Sequence, residues 1–433
     1  MRLAERLALL WDHLCLGAGH VATQMPGDVA EFATTHSHRI ASATFCVPTR
    51  LDPDAFTTLA PRTLLISGDQ GLTEEVTARA AARLPGSQRL VLAEYNASGW
   101  ADVMAERGAE ILPRLHAFLA GLPRAADAPR IHHVTGNHAG ITYRIQGNGP
   151  ALVLLPFFLA PSQWDPALEE LARNFTTIVL GGPHIGGVAA LEDRAQAPSY
   201  RGMLRSLFDL IAPTPGEAIL DIGCGSGALD RLLARRYAAN PITATDVNPF
   251  LLREATALAE ADGLAERVTF REANAETLPF SDASFDCAYS VTVLEECDAD
   301  KALAEIFRVL GPGGRAGIIV RATDIPQWWH LDLPEAIQRK VTVPPQSVGA
   351  RGVADASLYR RMAAVGFRGL ISFPSLVTLD NPDGPIWRYR EDHAVSLLTE
   401  EEIVTWRATT GQARAKGMLF QAHAMHCVVG RKT

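Results

Sequence analysis

The stretch AILDIGCGSGALDRLLARR, residues 218–236, sets Gly223, Gly225 and Gly227 at alternate positions between an apolar run and a helix-forming run. Ile219 and Leu220 finish a buried strand, the glycines turn the chain tightly, and a helix starts near Ala228. Such a loop lets the backbone approach a ligand that any Cβ would obstruct. The helix behind it offers unpaired N–H groups and a partial positive charge. The next strand, ITATD (242–246), ends on Asp246, whose carboxylate can accept hydrogen bonds from two ribose hydroxyls. Strand, loop, helix, strand and terminal acid in this order describe a site for a nucleoside-bearing ligand. A second stretch, HVATQMPGD (20–28), has the shape of a catalytic turn, but Gln24 occupies the nucleophile's position.

The elements around these stretches read as α/β throughout. From about residue 200, helices and strands alternate with long crossovers, the signature of a parallel sheet with helices on both faces. Earlier, Leu3, Leu7, Leu10 and Leu14 share one helical face. Residues 63–69 and 89–95 read as strands around a helix at 74–84, and a helix near 101–120 follows. LPRAADAPR (122–130) is a proline-bounded linker. ITYRIQG (141–147) and ALVLLPF (151–157) flank a glycine turn and read as paired strands, before a helix at 165–173 and a strand at 176–182.

Composition sets bounds. A chain of 433 residues exceeds one ordinary core, so two or three domains are expected. A net charge of −8 argues against a nucleic-acid partner, which wants a basic face. No apolar run reaches the roughly 18 residues of a membrane span. The amphipathic start, with Glu5 and Asp12, is unlike a signal peptide. Six scattered cysteines without C-x-x-C fit free thiols in a reducing compartment, so a cytoplasmic protein is expected.

Residues 200–320 resemble class I S-adenosylmethionine-dependent methyltransferases of the ubiquinone and menaquinone type. LDIGCGSG, TATDVNP, ANAETLPFSDASFDCAYS and RVLGPGGR carry the resemblance. It implies a Rossmann-like seven-stranded sheet, S-adenosyl-L-methionine as cofactor and a small-molecule acceptor. Residues 223–227, with Cys224 among them, would cradle methionine and ribose, and Asp221 would lie at the amino end. Asp246, followed by Val247, would hold the ribose; Asn274, Ala275 and Glu276 would flank adenine; Ser290 would lie near the methionine moiety. Asn274 stands where Asp is common, and Glu296 where a His is common, which removes the usual histidine relay. A dinucleotide is the competing ligand for the loop; the acid before it and the LPF…SFD run favour the methyl donor. Binding of the cofactor without methyl transfer is the competing function.

Transfer from a sulfonium is an in-line displacement, so the protein mainly aligns the acceptor and excludes water. A base is needed only for a protonated acceptor. Cap segment 322–357 holds Trp328, Trp329 and His330, with Asp324 nearby, and Trp387 lies in IWRYREDHAV (386–395). Trp328, Trp329, Trp387 and Glu296 are candidates for an apolar or aromatic acceptor pocket, and His330 for the base. The competing reading packs the tryptophans into a cap and leaves His330 on the surface. Tyr200 would either cover the cofactor or pack. HHVTGNH (132–138) and HAMH (423–426) lack a ligand frame, so no metal is expected.

The first 195 residues resemble an α/β-hydrolase whose halves run in reverse order, as after circular permutation, preceding a methyltransferase domain at 196–433. HVATQMPGD matches the elbow, TLLISGDQGLT the later half and residues 141–187 the first half. No triad can be assembled: Gln24 replaces the nucleophile, Asp69 is present but Gly71 stands at the usual acid position, and NASGWADV (96–103) holds no His. A pseudo-hydrolase kept as a scaffold, or as a homodimer contact by analogy, is the expectation.

Overall fold

Apolar side chains that alternate along short strands organise both sheets of the protein, because successive strand residues face opposite sides. The computed structural model describes residues 1–96, 101–122, 134–379 and 384–433. Residues 123–130 of the expected linker, His132 and His133, and residues 97–100 lie outside them. The chain forms two compact units, Met1–Ala189 and Ala190–Thr433.

The first unit holds strands β1 (Gly19–Thr23), β2 (Ile40–Cys46), β3 (Thr63–Gly68), β4 (Gln88–Leu92), β5 (Val134–His138), β6 (Ile141–Gln146), β7 (Ala151–Leu154) and β8 (Thr176–Gly181). They form one sheet in the order β4-β3-β2-β1-β7-β8-β6-β5. All neighbours are parallel except β6, which runs against β8 and β5. Val21, Leu65 and Val153 point into one core with Leu7, Leu10, Trp11 and Phe32. Ala22, Leu64, Ile66, Leu152 and Leu154 point into the other, with Ile111, Leu115 and Trp164. Burial on both faces explains the continuous apolar runs of these strands. The expected pairing of 141–147 with 151–157 does not occur, because β8 inserts between β6 and β7. A short glycine turn signals a change of direction, not which strand becomes the neighbour.

The second unit holds β9 (Ile219–Ile222), β10 (Ile242–Asp246), β11 (Val268–Glu272), β12 (Phe285–Val291), β13 (Leu310–Arg321), β14 (Trp328–Trp329), β15 (Arg368–Leu379) and β16 (Gln421–Arg431). Five parallel strands run β11-β10-β9-β12-β13. β16 then lies antiparallel between β15 on one edge and β13, continued by β14, on the other. The expected seven strands thus gain an eighth of only two residues, Trp328 and Trp329. Helix Pro198–Ile211 covers one face and helix Ala299–Val309 the other. The cap is wider than 322–357: helices Glu335–Val341, Pro385–Ser396 and Glu400–Ala415 share a small core with Trp329.

Arg315 of β13 pairs with Glu217 through both oxygens (2.8 and 2.6 Å) and donates to the carbonyls of Ile211 and Ala212 at the end of helix Pro198–Ile211 (3.0 Å each). These hydrogen bonds from Arg315 push the Glu217 carboxyl from 4.5 down to about 2. A depressed carboxylate stabilises the fold above its unfolded value, and that contribution is lost as pH falls through the folded one. Glu217→Gln is expected to lower the Tm at pH 7. Its deficit against the wild type should shrink as melts are repeated from pH 4.5 down towards 2.

Candidate functional site

The glycine loop joins β9 to helix Ala228–Arg236. Gly223, Gly225 and Gly227 have φ of +83°, +57° and +69°, a region open to glycine at little cost. A Cβ on Gly223 would stand 2.1 Å from the Val293 side chain, and one on Gly227 would stand 2.8 Å from the Phe270 ring. The loop therefore needs glycine for its own turn and packing as well as for a ligand's approach. Beneath it, Ser226 donates to Glu192 (2.6 Å), and Arg231 pairs with Glu192 (2.6 Å) and Asp262 (3.0 Å). Cys224 is buried, and burial pushes its thiol well above the usual range, so it packs as a neutral group.

Asp246 ends β10 beside this loop. One carboxylate oxygen accepts from the Gly225 amide and the other from the Asn248 amide, both at 2.9 Å. Burial raises its carboxyl somewhat, against the lowering effect of those amides. Each oxygen keeps a lone pair for a further donor. Val247, next along, is an apolar side chain left 65% exposed. The chain returns through β11, and the Ala273 amide donates to the Asp246 carbonyl (3.0 Å). Asn274 then opens a tight turn whose Oδ1 accepts from the Glu276 amide (2.8 Å), and Glu276 accepts from the Asp298 amide (2.9 Å). Glycine loop, Asp246, Val247 and the Asn274–Glu276 turn thus share the C-terminal edge of the parallel strands, where such sheets bind ligands. This cradle fits S-adenosylmethionine: a glycine loop at a helix N-terminus, a carboxylate with spare acceptors, and an exposed apolar side chain for a base.

Two expected cofactor residues face the interior instead. Asp221 is buried on β9, with Asp230 nearby accepting from the Tyr289 hydroxyl (2.9 Å). Burial, then the charge of Asp230, raises Asp221 far above the usual carboxylate range. Asp221 therefore lies beneath the loop, in the buried interior of the sheet. Ser290 is fully buried and donates to the Ile222 carbonyl (2.9 Å), which fastens β12 to β9.

The acceptor candidates divide by strand alternation. Trp329 lies opposite Gln421, while Trp328 lies opposite Ala422, so the two tryptophans face opposite sides. Trp329 is buried edge-on against Trp387 and Trp406 (centroids 5.4 and 5.0 Å). Trp329 and Trp387 are thus cap core. Trp328 is 46% exposed and meets His330 and Phe420. His330 stacks on Phe420 (4.7 Å) in this outer cluster, away from the face that carries Gln421. Glu296 is exposed and reaches Arg321 (3.4 Å); its neighbour Glu295 is the buried one, accepting from the Arg321 amide (2.8 Å). The VLEEC run did not reveal which glutamate turns inward.

A different group of residues converges on the inner face of β16. His423 shares that face with Gln421 and with the core residues Met425 and Cys427. It lies just beyond the end of β13, where Arg321 pairs with Met425. Its Nδ1 lies 3.3 Å from Gln421 Oε1. An amide oxygen only accepts, so Nδ1 carries the proton and Nε2 keeps a lone pair. Burial pushes His423 well below the ordinary imidazole range, and the charges of Arg390, Arg194 and Arg321 push it the same way. Helix Pro198–Ile211 is fixed beside it: Ser199 exchanges hydrogen bonds with the backbone of Thr378 (3.0 and 2.9 Å), and Thr378 pairs with Ala422. Tyr200, the next residue, is buried with no hydrogen-bond partner for its hydroxyl among the described residues. Arg194 lies over the Tyr200 ring (5.2 Å) and donates to Thr292 (3.2 Å). Thr292 has φ +59°, a strained value for a β-branched residue, at the C-terminal end of β12. The sequence signal for His423 was its place in HAMH, which alternation splits: His426 faces away and bonds Asp324 (2.7 Å).

Comparison with known proteins agrees with this geometry. A family model described as a methyltransferase domain matches residues 220–318. The O-methyltransferase resE of Aspergillus sclerotiorum is 33% identical over 252 residues, covering 56% of this chain and 89% of the relative. The malonyl-[acyl-carrier protein] O-methyltransferase of Erwinia billingiae is 33% identical over 164 residues, covering 36% of this chain and 61% of the relative. The chain thus spans less than two thirds of that second relative. Among solved structures, the YcgJ protein of Bacillus subtilis is 20% identical at a TM-score of 0.38, covering 54% of this chain and 98% of that one. The chain belongs to the class I S-adenosylmethionine-dependent methyltransferases.

Proposed function

We propose that the second unit methylates an O–H or N–H group of a small apolar or aromatic acceptor, with His423 as the base. The observation that carries this reading is a buried imidazole just beyond the C-terminal end of β13, with Nδ1 bonded to Gln421 and Nε2 without a hydrogen-bond partner among the described residues. S-adenosylmethionine supplies a methyl group on a positively charged sulfur. Asp246 would take the ribose hydroxyls, Val247 and the Asn274–Glu276 turn would border the adenine, and residues 223–227 would line the methionine side. With the cofactor bound, His423 Nε2 would take the acceptor's O–H or N–H proton and leave the acceptor lone pair to receive the methyl group. Gln421 holds the imidazole in the required tautomer. O-methyltransferases are among the relatives, which supports an oxygen acceptor.

The first unit supports the reading of a permuted hydrolase scaffold without its chemistry. Its strand order has β1–β4 on one side and β5–β8 on the other, joined where β1 meets β7. Gln24 is spent on structure: its Oε1 accepts from the Phe158 amide (2.9 Å) and its Nε2 donates to the Val47 carbonyl (3.4 Å). Asp69 likewise holds a turn, accepting from the Glu94 and Tyr95 amides (2.8 and 3.0 Å).

Four outcomes follow from these roles. Calorimetry should find S-adenosylmethionine affinity reduced about 10–100-fold in Asp246→Ala, since two charge-assisted hydrogen bonds go; unchanged affinity would sink the ribose role. Transfer of labelled methyl to a panel of phenols and acids should fall about 10²–10⁴-fold in His423→Gln, with cofactor affinity kept. In the wild type the acid limb of kcat/KM should lie below pH 6.5, because a base works only when deprotonated and His423 is pushed downward. A limb at or above 6.5 contradicts the assignment. Gln24→Ala should destabilise the fold by about 1–3 kcal/mol in denaturant titrations, having removed the side chain that bonds both the Phe158 amide and the Val47 carbonyl.

A further inference from the structure

Arg390 is buried in the cap helix Pro385–Ser396, only 6% exposed, and its Nε has no hydrogen-bond partner among the described residues. It lies over the Tyr389 ring (5.9 Å). The Nε of Arg194 is buried and unpartnered in the same way, although its Nη1 reaches Thr292. A guanidinium cannot shed its proton at neutral pH, so Arg390 carries its charge in a buried place, while Arg194 is half-buried. Burial does lower Arg390, to about 10, and the charges of Arg321 and Arg194 act in the same direction. The charge of Arg321 is met by Glu295 and Glu296, at 3.4 Å each. Neither Arg194 nor Arg390 has a carboxylate partner among the described residues. A buried guanidinium N–H without an acceptor is costly, and an anion would supply the missing acceptor. The Tyr200 hydroxyl, whose ring lies under the Arg194 guanidinium (5.2 Å), is also buried and unpartnered among the described residues.

We propose that the acceptor carries an oxyanion, a carboxylate or a phosphate, which Arg390 pairs with through its planar fork while Arg194 and Tyr200 close the site beside it. This rests on the methyltransferase reading above and narrows its substrate class. A guanidinium meets either oxyanion with two parallel N–H···O bonds, a geometry no neutral amide or ester reproduces. The anion would also relieve His423: with two nearby positive charges neutralised, its imidazole gains basicity at the moment an acceptor is present. A neutral analogue of the same shape would leave the guanidiniums unpaired and the base weak.

The test uses the full chain loaded with S-adenosylhomocysteine, melted at constant ionic strength with benzoate, phenyl phosphate or benzamide. Benzoate or phenyl phosphate should raise the Tm above the benzamide value, and whichever shifts it more names the oxyanion. Arg390→Gln should abolish that shift, and Arg390→Lys should keep part of it, because the charge remains without the fork. Equal shifts from benzamide, or an undiminished shift in Arg390→Gln, would overturn the proposal. So would a loss of about tenfold in S-adenosylhomocysteine affinity in Arg390→Gln, since the arginine would then serve the cofactor's own carboxylate. Calorimetry of S-adenosylhomocysteine with the wild type separates the two levels: no binding defeats the cofactor site itself, whereas binding without an anion shift defeats only this inference.

Discussion

The antiparallel insertion of β16 between β13 and β15 is the constraint on which the reacting side of the molecule depends. It fixes a period-two register over eleven residues, Gln421–Arg431. That register turns His423 towards the core face and His426 away from it, and it separates Trp329 from Trp328. A slip of one residue would reverse all four assignments. Helix Pro198–Ile211 is locked to the same frame through Ser199 and Thr378, so Tyr200 and His423 are held by a common scaffold.

The cofactor edge and the acceptor edge are built by different physics. At the cofactor edge the backbone dominates: positive φ at three glycines, loop amides held by a carboxylate, and a turn closed by Asn274. Side chains there serve mainly to fix the main chain. At the acceptor edge the side chains dominate, and they are buried polar groups left incomplete by their neighbours. Such incompleteness is costly in a finished core and reasonable in a binding site, where the missing partner arrives with the ligand.

The motifs in residues 218–290 were legible because each is a local demand on backbone shape, and a local demand writes itself into adjacent residues. The strand, the loop, Asp246 and the Asn274 turn all fell where the sequence reading put them. The acceptor side was not legible for the opposite reason. Adjacent Trp328, Trp329 and His330 invited treatment as one wall, yet neighbours in a strand point apart. Arg194 stands far before Arg390 and His423 in the chain, and the three share no motif. Each reads alone as an ordinary surface or core residue. In the first unit, the apolar runs at 141–147 and 151–157 showed strands but not the insertion of β8 between them.

The sequence by itself determined the family, the cofactor and the absence of a conventional nucleophile at Gln24, because these follow from residue types at fixed short spacings. The tertiary structure decided that His423 turns to the inner face of β16 and His426 away from it, that Glu295 and not Glu296 is buried, and that the Nε atoms of Arg194 and Arg390 are buried without a hydrogen-bond partner among the described residues. Those outcomes depend on strand register and on packing between distant segments, where the energy of a side chain is set by neighbours that the linear order does not name.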